Sequence, residues 1–284
     1  MEIISGTKIA AQIRESLREV NEKEGIKPVL AVIVVGDNQE NLVYVGLKEK
    51  AVASIGGETR LIVMPGNSSK QSLINTINEL NQDDNIDGIL LQLPMPGHLE
   101  EDKEEILSAI QLEKDVDGFT PTNRGLLAGE GAWFVSCAAL ACLEVIDRVC
   151  PRLQGKRVVL AGDSFDVIVP LAIILLRRGY PVSIYPQYQE GLVNLADILV
   201  VEKGGPEIIK GADINGSPLI IDAGFYWEAG YSCGNVQRDS VESNEGYLLP
   251  VPGGLGPVLI AKLCENLSRA ARQRGVTGDR GDSR

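Results

Sequence analysis

A chain of 284 residues, 44% hydrophobic and 23% charged, has the composition of a globular protein with a full core, arranged as one large domain or two of medium size. Its formal net charge of -12, with no basic stripe anywhere, argues against a nucleic-acid partner, which would require clustered Lys and Arg. Five cysteines without a CxxC pair and a single histidine, His98, argue against a metal site or a His-based triad, so acid–base chemistry falls to Lys, Tyr, Asp or Glu.

In chain order, the opening MEIISGTKIAAQIRESL reads as a strand and an amphipathic helix with Ile9, Ile13, Leu17 and Val20 on one face, not as a signal peptide. Pro28–Val35 is a continuous β-rich run of the kind covered on both faces. A helix over Asn41–Ser54, a strand over Arg60–Met64, a helix over Ser69–Leu80 with Leu73, Ile77 and Leu80 together, and a buried strand over Gly88–Leu93 follow. Glu113–Trp133, rich in Asp, Gly and Pro, reads as a boundary. From Arg157 the alternation resumes: RVVLA, a helix over Val169–Arg178, VSIY, a short helix, DILVVE and LIIDAG.

Pro257–Arg272 predicts a last helix that packs back on the first unit, and Gly275–Arg284 predicts a mobile tail whose Arg-Gly-Asp triplet is chance. The fold class is α/β: two parallel-sheet units, the second Rossmann-like, with a cleft between them. Residues 1–134 plus 257–284 are expected to form the first domain and 135–256 the second. No apolar run is long enough to span a bilayer, and a cytoplasmic protein without a membrane partner is expected.

Four stretches could carry chemistry. Tyr44 and Lys48, four apart, project from one helix face; alone, such a pair is ordinary on a solvated surface. Gln92, inside an apolar strand near its C-terminal end, must find partners or incur a cost of about 1–3 kcal/mol, and that end is where open α/β sheets bind ligands. Its ordinary alternative is a satisfied core amide. KDVDGFTPTNRGLLAG offers Asp115 and Asp117, either of which could be loop chemistry only. PVPGGLGP, Pro250–Pro257, is a stiff loop whose backbone can approach a flat ligand closely.

Together these stretches resemble the bifunctional methylenetetrahydrofolate dehydrogenase/methenyltetrahydrofolate cyclohydrolase (FolD) family. The family's Tyr-x-x-x-Lys helix is similar to Tyr44–Lys48, its DGILVQLPLP strand to Asp87–Pro96, its KDVDGF segment to Lys114–Phe119 and its PVPGGVGP loop to Pro250–Pro257. The resemblance implies hydrolysis of 5,10-methenyltetrahydrofolate to 10-formyltetrahydrofolate, together with NAD(P)-dependent oxidation of the methylene form. It implies Lys48 as the catalytic group, Gln92 holding it, Tyr44 stacked on the folate, Asp117 accepting from the amino-pyrimidine, and Pro252, Gly253 and Gly254 lining the folate site. It also implies a homodimer formed through the second unit and no metal.

The second unit departs from the family pattern. Gly162, Asp163 and Ser164 stand where the family has Gly-Arg-Ser; Asp163 is expected to repel an NADP 2′-phosphate, and Ile168 to crowd the pyrophosphate and resist the backbone angles of a glycine. Asp166 is expected to cap the next helix and place its carboxylate where a phosphate would sit. Tyr185, Pro186, Gln187, Glu202, Lys203, Gly205, Leu259, Ser136, Ala138 and Ala139 also depart, whereas the first unit differs only at Asn41. NADP binding is therefore expected to be weakened, with NAD as the alternative because an aspartate accepts from a ribose 2′-hydroxyl. A non-catalytic folate-binding or regulatory relative is the reading from another class.

Overall fold

The computed structural model describes residues 1–129, 131–150, 155–228 and 230–278, without the side chains of 39–40 and 275–278. The Arg-Gly-Asp triplet and the tail from residue 279 onward lie outside the described residues. In chain order, β1 (Glu2–Ile3) leads to α1 (Gly6–Glu24), β2 (Val29–Val35), α2 (Gln39–Ser54), β3 (Glu58–Met64), α3 (Lys70–Gln82) and β4 (Gly88–Leu91). Next come α4 (Lys103–Ser108), α5 (Pro121–Leu126), α6 (Cys137–Val149), β5 (Val158–Ala161), α7 (Ile168–Arg177), β6 (Val182–Tyr185), β7 (Ile198–Val201) and β8 (Leu219–Asp222). A hairpin of β9 (Tyr226–Glu228) and β10 (Tyr231–Cys233), then β11 (Tyr247–Leu249) and α8 (Leu255–Gly278), complete the described chain.

The chain divides into two compact units, one of Met1–Ala10 with Ala138–Leu259, the other of Ala11–Cys137 with the chain from Ile260 onward. In the latter unit β3, β2 and β4 form a parallel three-stranded sheet. The continuous apolar run of β2 is explained by its central place: Ala31, Ile33 and Val35 pack with Leu73 and Ile77 of α3 and with Ile89 and Leu91 of β4. Ser69 caps α3, its Oγ accepting from the Ser72 N–H at 3.2 Å.

The other unit holds a six-stranded, all-parallel sheet ordered β1-β11-β8-β7-β5-β6. Read from the edge, β6-β5-β7-β8-β11 is the doubly wound order whose direction reverses between β5 and β7, where α/β sheets bind their ligands. The ends of β5 and β7 meet there, Ala161 opposite Val201. The opening strand read from the sequence is present, but it completes this sheet, Glu2 and Ile3 pairing with Tyr247 and Leu248 of β11. No helix among the described residues is long and apolar enough to cross a membrane.

Candidate active site

Lys48 lies one turn after Tyr44 on α2, and the fold treats the two side chains differently. Tyr44 is 41% exposed, whereas Lys48 is only 9% exposed. A buried ammonium needs an acceptor, and Gln92 supplies it: Lys48 Nζ donates to Gln92 Oε1 at 2.9 Å. The Gln92 Nε2 donates in turn to the Leu93 carbonyl at 2.7 Å, which fixes which end of the carboxamide faces the lysine. Gln92 stands one residue beyond β4, not inside it as the sequence pattern implied, yet its N–H still bonds the Ile33 carbonyl at 2.9 Å. Its side chain is thus carried on a rigid sheet end.

Burial lowers the lysine pKa, and the negative charge of Asp117 opposes that shift in part. Asp117 also bonds the Cys137 thiol, which burial and this neighbour hold far up in the un-ionised form. Cys137 is fully buried, its Sγ 3.4 Å from the Val116 carbonyl. Lys48, Gln92, Asp117 and Cys137 therefore form one electrostatic cluster within one unit: an amine of reduced basicity, a neutral amide, a carboxylate and a neutral thiol.

The motif around Asp117 divides its labour. The Lys114 ammonium donates to the carbonyls of Leu80, Asn81 and Asp83 at 2.9, 2.7 and 2.9 Å, closing the C-terminus of α3. Asp115 is buried and accepts from the N–H groups of Phe119 and Thr120 and from Asn123 Nδ2 at 2.9, 2.9 and 2.8 Å, so it builds the turn. Gly118 has φ +71°, and a Cβ there would lie 2.5 Å from the Val135 carbonyl carbon. Lys114, Asp115 and Gly118 make the loop; Asp117 is the member whose charge acts on the lysine.

Asn41 stands at the start of α2 and donates through Nδ2 to the Pro94 carbonyl at 3.2 Å, tying the helix of Lys48 to the segment after Gln92. Asn266 of α8 reaches the Cys137 region. The sequence reading gave no role to Cys137 or Asn266, because the contacts of Asn266 lie about 130 to 150 residues away along the chain.

Pro252, Gly253 and Gly254 belong to the other unit, in the loop before α8. Gly253 has φ +85°, the left-handed region open to glycine. A Cβ on Gly254 would meet the Pro250 carbonyl oxygen at 2.0 Å, and one on Gly6 would meet the Gly254 oxygen at 1.8 Å. The loop is locked by backbone contact with the start of α1.

The nucleotide-type loop, also in this unit, joins β5 to α7. Asp163 is ion-paired with Lys203, which follows β7. The expected bare negative charge is therefore matched by a cation from across the point where the strand order reverses. Ile168 is the first residue of α7 and is fully buried; it is asked for no left-handed angles, and its side chain fills the space beside Gly162. The start of α7 is bonded by Ser164, whose Oγ accepts from the Val167 and Ile168 N–H groups at 3.1 and 3.3 Å; the sequence had assigned this cap to Asp166.

A further carboxyl faces Gly162 from the end of β7. Glu202 Oε2 is enclosed without a hydrogen-bond partner among the described residues and would lie 2.5 Å from a Cβ on Gly162. Burial raises the Glu202 pKa, and Asp166 adds to this, so the carboxyl holds its proton more readily than an exposed glutamate. The frame, a parallel strand turning through Gly162 into a helix beside the strand-order reversal, is the one on which α/β sheets bind dinucleotides, and Lys203 offsets the charge of Asp163.

A family model described as the tetrahydrofolate dehydrogenase/cyclohydrolase catalytic domain matches residues 4–117, and one described as the NAD(P)-binding domain of the same enzymes matches residues 136–275. The chain belongs to the tetrahydrofolate dehydrogenase/cyclohydrolase family. Bifunctional protein FolD 1 of Syntrophomonas wolfei subsp. wolfei is 57% identical over 276 residues, 96% of this chain and 100% of the relative. A crystal structure of the bifunctional FolD enzyme of Campylobacter jejuni superposes with a TM-score of 0.89 at 35% identity, covering 96% of this chain and 99% of that one. The Trypanosoma brucei FolD, solved with NADP cofactor and an inhibitor, gives a TM-score of 0.86 at 29% identity over 96% and 98%.

The protein is thus an enzyme of tetrahydrofolate one-carbon interconversion, with the cyclohydrolase and dehydrogenase activities of the family and NAD(P) as the cofactor of its Rossmann-like half. Membership as an enzyme displaces the non-catalytic alternative. The doubt over the dehydrogenase half is likewise overturned: that half matches the NAD(P)-binding domain, and the ion pair at Asp163 removes the main charge objection. No group of three or more His, Cys, Asp or Glu that could hold a metal occurs among the described residues.

Proposed function

We propose that Lys48 is the catalytic group of the cyclohydrolase reaction, with Gln92 orienting it, Tyr44 stacking on the folate and Asp117 accepting hydrogen bonds from the amino-pyrimidine. The observation that carries this reading is the buried Lys48 ammonium bonded to Gln92 Oε1 at 2.9 Å, beside the charge of Asp117. A lysine of lowered pKa gives up its proton more readily than an exposed one, and the free amine can then take a proton from water.

In the reaction, water adds to the carbon bridging N5 and N10 and gives one proton to the Lys48 amine. The resulting carbinolamine loses its hydroxyl proton to water as the N5–carbon bond breaks and N5 takes the proton back from Lys48. The products are 10-formyltetrahydrofolate and one net proton. When bound, NAD(P) supplies the hydride acceptor for oxidation of the methylene form.

Gly162, Asp163 and Ser164 border the nucleotide; support comes from the strand-order reversal beside Gly162. A homodimer through the Rossmann-like unit is supported by β6, an edge strand with Ile184 54% exposed; sedimentation of the wild type and Ile184→Glu tests it, the variant shifting toward monomer. The reading of the lysine is tested by Lys48→Met. Formation of 10-formyltetrahydrofolate should be abolished while the circular dichroism and Tm stay near wild type; unchanged turnover refutes the assignment.

A further inference from the structure

Asp117 stands on a turn that Asp115 ties internally and that β4 holds at its start, where the Lys114 carbonyl accepts from the Ile89 N–H at 2.7 Å. A further tie, next to Asp117 itself, comes from α8. Asn266 is 4% exposed, and its Nδ2 reaches three groups around Asp117: the Val116 carbonyl at 2.8 Å, the Val135 carbonyl at 3.2 Å and Cys137 Sγ at 3.5 Å. Val116 immediately precedes Asp117. Val135 and Cys137 flank the segment against which Gly118 is pressed. The same amide thus fastens both strands of chain that meet at the carboxylate, and the Cys137 thiol, bonded to Asp117, is the last link. A buried amide with this set of acceptors has little freedom to turn.

We propose that Asn266 is a positioning residue for Asp117, acting through the Val116 and Val135 carbonyls and the Cys137 thiol to hold the carboxylate against the pterin and within reach of Lys48. The proposal rests on the reading of Asp117 as a substrate contact. It uses no group that meets the substrate itself, and it explains why a helix distant in sequence places a fully buried amide here.

The test compares Asn266→Ala, Asn266→Leu and Asp117→Ala in methenyltetrahydrofolate hydrolysis across pH. Asn266→Leu keeps a side chain of similar size but loses both N–H donors without adding a charge, so it remains informative should the alanine variant fold poorly. Both Asn266 variants should raise KM roughly tenfold with a smaller change in kcat, the loss of about one positioning hydrogen bond. They should also move the lysine limb of the pH profile to lower pH, because a displaced Asp117 no longer supports the ammonium. Asp117→Ala should do both more strongly. If Asp117→Ala shows these effects and the Asn266 variants show only a lowered Tm or active fraction, the positioning role is wrong. If Asp117→Ala changes neither KM nor the limb, the reading of Asp117 fails and takes the proposal with it.

Discussion

Gln92 is the place where the charge of the active amine can be tuned without touching the amine. Gln92→Glu puts a carboxylate where a neutral amide oxygen now accepts from Lys48 at 2.9 Å. At an effective dielectric constant of about 20, two unit charges at that separation attract by about 6 kcal/mol. Desolvation of the new anion, and its repulsion by the Leu93 carbonyl that Nε2 now serves, take back much of this. If about a third survives, roughly 2 kcal/mol raises the lysine pKa by about 1.4 and cuts the free-amine fraction about 25-fold at a pH below it. Gln92→Met acts in the opposite sense, because it leaves the buried ammonium without its acceptor. Initial rates of methenyltetrahydrofolate hydrolysis across pH, with the spontaneous rate subtracted, should show the limb moved upward for Glu and downward for Met. Limbs that stay in place with full rate, or that move in the same direction, would refute a catalytic role for the free amine.

Three further outcomes follow from the structure. Asp163→Asn releases the Lys203 ammonium from its ion pair, so NADP should bind about tenfold more tightly while NAD changes little, by fluorescence titration at low salt; equal changes for both nucleotides would contradict the pairing. Gly6→Ala forces a Cβ to within 1.8 Å of the Gly254 carbonyl oxygen and should cost roughly 3 kcal/mol in chemical denaturation, since neither partner is a side chain that can turn away. Asp222 is buried with its carboxyl pKa raised from 3.8 to about 6, although it accepts from the Gly224, Asn235 and Val236 N–H groups. Between those values the native state keeps a proton that the unfolded chain has lost, so this group's contribution falls as pH rises from about 4 to about 6, by up to about 3 kcal/mol. The stability difference between wild type and Asp222→Asn should change across that window, and a constant difference would show that the carboxyl ionises normally.

Where the determinants were local, the sequence was readable. β2 and β4 stood out as unbroken apolar runs because they are central or covered strands, and α3 showed its 73–77–80 stripe. Gln92 stood out because a lone polar residue in an apolar strand needs a partner; that the partner is Lys48 came from the resemblance to the family, and the 2.9 Å bond agrees with it. Other features depend on where the backbone passes. Nothing in KDVDGF says that the first aspartate serves three donors of the turn while the charge of the second acts on the lysine; Asn123 Nδ2, eight residues on, decides it. Asp163 looked hostile to phosphate because its counter-ion, Lys203, lies 40 residues away across the β5–β7 reversal. Helix α6 passed unread because its first residues, Cys137 to Leu143, are nearly all apolar and carry no amphipathic stripe.

The pairing of β1 with β11 bears on how the chain assembles. Glu2 and Ile3 wait for Tyr247 and Leu248, partners about 245 residues away, so the six-stranded sheet cannot gain its opening strand until the chain has been made through β11. Such distant closure is slow, since the loop entropy must be lost before the contact gives anything back. During synthesis the unit headed by β2, whose three strands lie within 63 residues of one another from Val29 to Leu91, can reach its native sheet on the ribosome, while the opening strand stays unmatched until Tyr247–Leu249 emerge.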